Sequence, residues 1–264
     1  MRPWFEADWP APRGVRVLST LRGGAGAGGV GAGGAGGAGG GGAGGAGTAR
    51  YASFNLAGHV GDDLAAVAEN RRRLVAEAGL PGEPQWLAQV HGTAVADLDR
   101  GDPVSPADAA ITRASGTVCA ILTADCLPVV LVSRSGETLA AAHAGWRGLA
   151  AGVLEATVRA MRTPGTELMA WLGPAIGPLH FEVGGEVREA FLKDDPGAEE
   201  AFALNPKGRF MAHLERLARR RLERLGVTRI YGGGECTFSE KERYYSHRRD
   251  GITGRQATLI WRQG

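Results

Sequence analysis

The chain has 264 residues and sets 30 Lys and Arg against 28 Asp and Glu, a formal net charge of +2. That near balance gives no electrostatic reason to expect a nucleic acid or an anionic membrane as partner, and no apolar run reaches membrane-spanning length. Cys119, Cys126 and Cys236 are an odd count at no disulfide-like spacing, and the start lacks a charged segment followed by an apolar one, so a reduced, cytoplasmic setting is expected.

Residues 4–14 are polar and punctuated by proline, without a clear period. The β-branched run 15–20 reads as a strand. Residues 23–47 are almost entirely Gly and Ala; such a composition offers too little apolar surface to offset chain entropy, and disorder is expected. A helix is predicted over 62–80, capped by Asp62, with Leu64, Val67, Leu74, Val75 and Ala78 on one face and Gly79 and Pro81 as the stop. Residues 85–90 read as a strand ending at His91-Gly92. Two more apolar β-rich runs follow, 118–123 and 129–132. Between them Pro128 is expected to limit pairing. The strand 138–142 delivers His143 to a small-residue turn, and a helix is predicted over 149–162 with Val153, Leu154 and Val158 inward. Residues 168–172 read as a strand, 185–193 as a short helix, and 210–225 as a helix with Phe210, Leu214, Leu217 and Leu225 on one side. Late strands fall at 227–231 and 257–261. Strands that come both in succession and alternating with helices predict a mixed sheet with helices outside, in one domain spanning 1–264 with the Gly/Ala insert at 23–47.

His91, Cys126 and His143 share one address, each after a predicted strand and before a Gly or Pro turn. Two histidines and a cysteine suffice for a catalytic zinc site, which uses three protein ligands and keeps a fourth position open. They suffice equally for a cysteine–histidine nucleophilic pair, and each residue alone is compatible with core packing. Asp125, beside Cys126, is a candidate to move a proton or to hold a histidine's second nitrogen, and also a plausible turn former. Arg147, at a helix start, suits a phosphate or other anion, or a surface carboxylate. Cys119 reads as core, Cys236 as structural, and Trp146 as a packing anchor. Arg248, Arg249 and Arg255 form a basic cluster, which reads as a solvated face or as a place near a phosphate.

Gln89-Val90-His91-Gly92, Ala124-Asp125-Cys126-Leu127-Pro128 and His143-Ala144-Gly145-Trp146-Arg147-Gly148 resemble the signature blocks of the multicopper polyphenol oxidoreductase, or laccase-domain, family. Tyr51-Ala52-Ser53-Phe54-Asn55-Leu56, Gly173-Pro174-Ala175-Ile176-Gly177-Pro178 and Tyr245-Ser246-His247-Arg248-Arg249-Asp250-Gly251 resemble its other blocks, so the likeness runs nearly end to end. It implies an α+β fold, a mixed β-sheet sandwich flanked by helices and related to the cytotoxic necrotising factor hydrolases. It implies zinc on His91, Cys126 and His143, with copper as a possible alternative, and catalytic roles for these residues and Asp125. Arg147, Asn55 and Arg248 become expected substrate-binding residues. The implied chemistry is phosphorolysis of adenosine, inosine and methylthioadenosine, plus deamination of adenosine, with a nucleoside and phosphate as the small-molecule partners. The competing readings are a hydrolase that edits a peptidoglycan precursor, as in one bacterial branch of the family, and a copper polyphenol oxidase. Three ligands at one site are too few for the latter. The chain departs from the family pattern in the Gly-rich insert, which separates Arg22 from Tyr51, in Leu179-His180 where a cysteine is frequent, and in His247 where a tyrosine is usual.

Overall fold

The computed structural model describes residues 2–23, 50–51, 53–101 and 106–264. The expected disorder of 23–47 falls, from residue 24 on, outside the described residues. In chain order the elements are β1 (Trp4–Glu6), β2 (Val15–Thr20), α1 (Leu64–Ala78), β3 (Gln85–Trp86), β4 (Val95–Asp97), β5 (Ala109–Thr112), β6 (Cys119–Thr123), β7 (Leu127–Ser133) and β8 (Leu139–Ala144). There follow α2 (Trp146–Ala151), α3 (Val153–Met161), β9 (Leu168–Leu172), β10 (Glu182–Val183), α4 (Gly185–Leu192), β11 (Phe202–Leu204), β12 (Phe210–Ala212), α5 (Leu214–Arg224), β13 (Arg229–Gly232), α6 (His247–Asp250) and β14 (Gln256–Arg262).

The period of two along the strands builds a layered sandwich. In β7, Leu127, Val129 and Leu131 enter one core with α3, α4 and α5, while Val130 and Val132 enter a second core with Val17, Cys119, Ile121 and Ile260. The second core therefore lies between a six-stranded sheet, ordered β13-β9-β7-β8-β5-β4, and a five-stranded one, ordered β1-β2-β14-β6-β3. The other face of the five-stranded sheet presents Leu18, Ala120, Leu122, Leu259 and Trp261 to Leu74 of α1. Both sheets mix parallel and antiparallel pairs, and a small sheet β10-β12-β11 completes an α+β fold. No helix among the described residues is long and apolar enough to cross a membrane. Cys119 is a fully buried strand residue, as expected.

Several local expectations are corrected. The helix cap is Asp63, whose side chain accepts from Ala65 N, and Leu64 is 66% exposed because the buried face runs through Ala66, Val67, Asn70 and Leu74. Trp4–Glu6 is a strand despite its flanking prolines, paired antiparallel with β2. The strand predicted over 85–90 pairs only at Gln85 and Trp86. Beyond them the Gln89 amide bonds both the N–H and the carbonyl of Leu122 and stands in for a ladder pair. Pro128 sits inside β7, opposite His143. Its carbonyl accepts from Gly173, just past the end of β9, so the missing N–H falls where that ladder stops. The helix predicted over 149–162 begins earlier, at Trp146, and is split at Gly152, whose φ of 100° no helix accommodates. Phe210 belongs to a strand, not to a helix: the Asn205 side chain accepts from Lys207 N and Arg209 N, making Asn-Pro-Lys-Gly a hairpin turn that outweighs the helical spacing of Phe210, Leu214 and Leu217.

Candidate metal centre

The three residues singled out by sequence converge at one end of the sandwich. His143 is the penultimate residue of β8 and continues the alternation of Leu139 and Ala141, which face the space between the sheets. Cys126 lies on the short crossover that carries the chain from β6 of one sheet to β7 of the other. His91 lies on the turn after β3 with a φ of 61°, in the left-handed region. Their ligand atoms all lie within 4.8 Å of one another. The Cys126 Sγ is 3.8 Å from His91 Nε2, and the two imidazole rings meet edge to face at 4.8 Å. Gly145 closes the floor: a Cβ there would stand 2.9 Å from both the Cys126 sulfur and the His91 ring, so only glycine lets the trio meet.

Sequence reasoning missed the residue that organises this trio. Asp108, wholly buried just before β5, accepts the N–H groups of Val90 (3.1 Å), His91 (2.9 Å) and Gly92 (2.6 Å). The same carboxylate is hydrogen-bonded to His143 Nδ1 at 2.8 Å, while the Asp108 carbonyl accepts from His143 N. One side chain thereby fixes the strained His91 turn and the ring of His143 together. With Nδ1 turned to Asp108, Nε2 is the nitrogen that faces the site, which is how a metal-ligating histidine is oriented. The sequence signal was an aspartate opening a buried Ala-Ala-Ile run, where an unpaired carboxylate would be costly. The role expected of Asp125 toward a histidine nitrogen belongs to Asp108, because Asp125, held at a φ of 95°, turns its carboxylate the other way. It accepts from the Thr237 hydroxyl (2.7 Å) and from Arg248 N (2.7 Å).

Without an ion, the charges of the group are those of a thiolate–imidazolium pair. Burial pushes the Cys126 thiol up, but the His143 charge and hydrogen bonds from both histidines outweigh it and bring the thiol down to about 6. Burial disfavours a charged His143, yet the Cys126 thiolate and the Asp108 hydrogen bond raise it to about 9. A soft thiolate and two imidazoles on a glycine floor form a donor set suited to zinc or copper. Among the described residues, this is the one group of three such side chains placed to hold an ion.

The remaining expected residues take distinct places. Arg147 is exposed, with its guanidinium 4.5 Å from the centre of the Trp146 ring, and it belongs to a six-residue helix capped by Gly145. Trp146 packs against the helical core, as expected. Asn55 is buried, and its amide bonds Asp62, the Ala57 backbone and the Arg255 N–H. Arg248 is exposed, donates to the Glu182 carbonyl and lies over Phe181. The Cys236 sulfur accepts from Gly177 N and from the Ser239 hydroxyl, a structural use that ties two loops together. His180 stacks on Phe238 at 4.3 Å, next to that junction.

Residues 42–263 match the family described as multi-copper polyphenol oxidoreductase laccase. A Pseudomonas aeruginosa protein named purine nucleoside phosphorylase is 51% identical over the full length of both chains. An Escherichia coli protein of the same name is 47% identical over 96% of each. The crystal structure of a Neisseria meningitidis protein, 43% identical, superposes over the whole of both chains with a TM-score of 0.88. That of YlmD from Geobacillus stearothermophilus, 29% identical, covers 100% of this chain and 97% of its own with a TM-score of 0.85. The chain thus belongs to the laccase-like, multi-copper polyphenol oxidoreductase family, among relatives named purine nucleoside phosphorylases.

Proposed function

We propose that the chain is a purine nucleoside phosphorylase working with a zinc ion held by His91, Cys126 and His143, and that it also deaminates adenosine by hydrolysis. Its substrates in this reading are adenosine, inosine and methylthioadenosine, with orthophosphate as co-substrate. The observation that carries the proposal is the His–Cys–His group, drawn together within 4.8 Å in a chain 51% identical to a protein of that name. Zinc is preferred to copper because one three-ligand group among the described residues falls short of the several coppers a laccase uses. The unpaired cysteines favour the cytoplasm as the place of work.

In phosphorolysis an oxygen of phosphate bonds to the sugar C1′ while the C1′–N9 bond breaks and the purine leaves with its electrons. A bound zinc ion supplies Lewis-acid stabilisation of the negative charge that develops. The chain supplies the geometry. Asp108 holds His143 through Nδ1, so that Nε2, once its proton is displaced, would meet the ion. Asp125, next to Cys126, retains a second lone pair on each oxygen with which to take up a proton. Arg147 and Arg248 bring positive charge to the rim, and Asn55 fixes the loop against Arg255. The test is to incubate zinc-loaded protein with inosine and phosphate and look for hypoxanthine and ribose 1-phosphate. A parallel incubation with adenosine looks for inosine. No ribose 1-phosphate from fully loaded protein would sink the phosphorylase reading.

A further inference from the structure

Arg255 lies at the entry to β14, where Gln256 pairs with Thr123, so it stands beside the turn that carries Asp125 and Cys126. The side chain is partly withdrawn from water, and burial disfavours its charge, against which the Cys126 and Asp125 charges act. Its backbone is pinned: the N–H donates to Asn55 Oδ1 at 2.9 Å and the carbonyl accepts from Leu56 N. One guanidinium nitrogen, Nη1, is also pinned, donating to the carbonyls of Thr253 (2.8 Å) and Gly254 (2.9 Å). Among the described residues no carboxylate forms an ion pair with it, and no partner is bonded to Nε or Nη2.

Arg255 is half-buried and held rigid, and its free Nε–Nη2 edge is not sealed from solvent, so it is open to a ligand. The neighbouring anions do not fill the gap. Asp125 turns its oxygens to Thr237 and Arg248 and forms no ion pair with Arg255. The Cys126 thiolate is directed to the histidines, and its charge is committed once a cation binds. On the outer side, partial burial of the His59 imidazole, then the charges of Arg255 and Arg71, disfavour its protonated form. Arg255 thus has the neutral His59 on one side, itself flanked by Arg71, and Cys126 of the His–Cys–His group on the other.

We propose that Arg255 holds the oxyanion co-substrate, orthophosphate, on the free Nε–Nη2 edge of its guanidinium, between His59 and the His–Cys–His group. The flat two-donor edge matches two oxygens of a phosphate, a fit that lysine lacks. Arg147 and Arg248 then act as an outer rim, since both are exposed and stack on Trp146 and Phe181 respectively. The identity of the anion rests on the phosphorylase reading; the presence of an anion site on Arg255 does not.

The experiment is a calorimetric titration of inorganic phosphate into the full-length, zinc-loaded chain, with zinc content and circular dichroism recorded for each variant. Arg255→Ala is expected to weaken phosphate binding by roughly tenfold or more, with zinc content unchanged. Arg255→Lys, which keeps the charge and loses the paired edge, is expected to fall between. Arg134→Ala, which removes an exposed charge paired with Glu167, controls for net charge and should bind phosphate like the parent. Wild-type affinity in Arg255→Ala, or no phosphate binding by the parent, overturns the proposal. If Arg255→Ala fails to fold, Arg255→Lys decides alone: an undiminished affinity overturns the paired-edge contact and a loss supports it. Arg255-dependent phosphate binding without inosine cleavage keeps this site and removes the phosphorylase reading.

Discussion

Asp108 and Asp125 are both buried next to the His–Cys–His group, yet their carboxylates serve different neighbours. Asp108 gathers four donors, three from the 90–92 turn and one from the His143 ring, so the placement of both His91 and His143 depends on it. Asp125 gathers two, Thr237 and the Arg248 N–H, and so anchors the C-terminal wall rather than any ligand. The difference separates two requirements of one site. A cation needs ligands at fixed distances, which a rigid strand and a buried hub provide. A substrate, in the reading proposed above, needs a wall of the right shape, and Asp125 ties together two loops that would form one.

Asp108→Ala breaks the comparison most severely. It strands three backbone N–H groups and frees the His143 ring, a loss of about 3–5 kcal/mol by analogy with a broken buried charge pair. Zinc affinity should fall by ~10–100-fold, the usual cost of removing a partner behind a metal ligand. Thermal unfolding and metal analysis check both; a variant that keeps full zinc would show that His143 needs no orienting group. Asp125→Asn tests the other half. The amide cannot accept from both Thr237 and Arg248 N without turning its NH₂ toward one of them, so a cost of about 1–2 kcal/mol is expected. Zinc content should be retained while turnover of inosine drops. Loss of zinc in this variant would merge the two roles that the geometry keeps apart.

Much of this was legible before the fold was known. The long apolar runs of β6, β7 and β8 and the turn residues after them pointed to His91, Cys126 and His143 as strand-end neighbours. The sheet edges were harder to read. β1, β4 and β5 are three or four residues long, and Ala109–Thr112 is too small and alanine-rich for a period of two to stand out. Asp108 was invisible for another reason: it sits 35 positions before His143 and 17 after His91, so its role exists only once both strands are in place. Arg255 was read only as part of a basic cluster, because sequence does not reveal that Arg249 is paired with Asp250 and Arg248 is exposed over Phe181, while Arg255 is drawn in beside Cys126 with its Nε–Nη2 edge unbonded.

A third aspartate, far from the site, sets the scale for the first two. Asp195 starts a short helical turn and accepts from Gly197 N, Arg220 and Arg224 flank its carboxylate, and its side chain is 10% exposed against 36% for Arg220. The Arg220 hydrogen bond holds its carboxyl below the ordinary value. A group depressed in the folded state stabilises above its unfolded pKa of ~3.9 and loses that contribution as the pH falls through the folded value. Asp195→Asn should therefore cost about 1 kcal/mol or less at neutral pH, because Arg220 is partly in water. Denaturant unfolding of parent and variant should show that gap closing as the pH drops below ~4. A gap that persists at acid pH would mean that the turn geometry, not the charge, is what Asp195 contributes. In either case zinc content should not change, since this carboxylate touches neither the ligands of the site nor its wall.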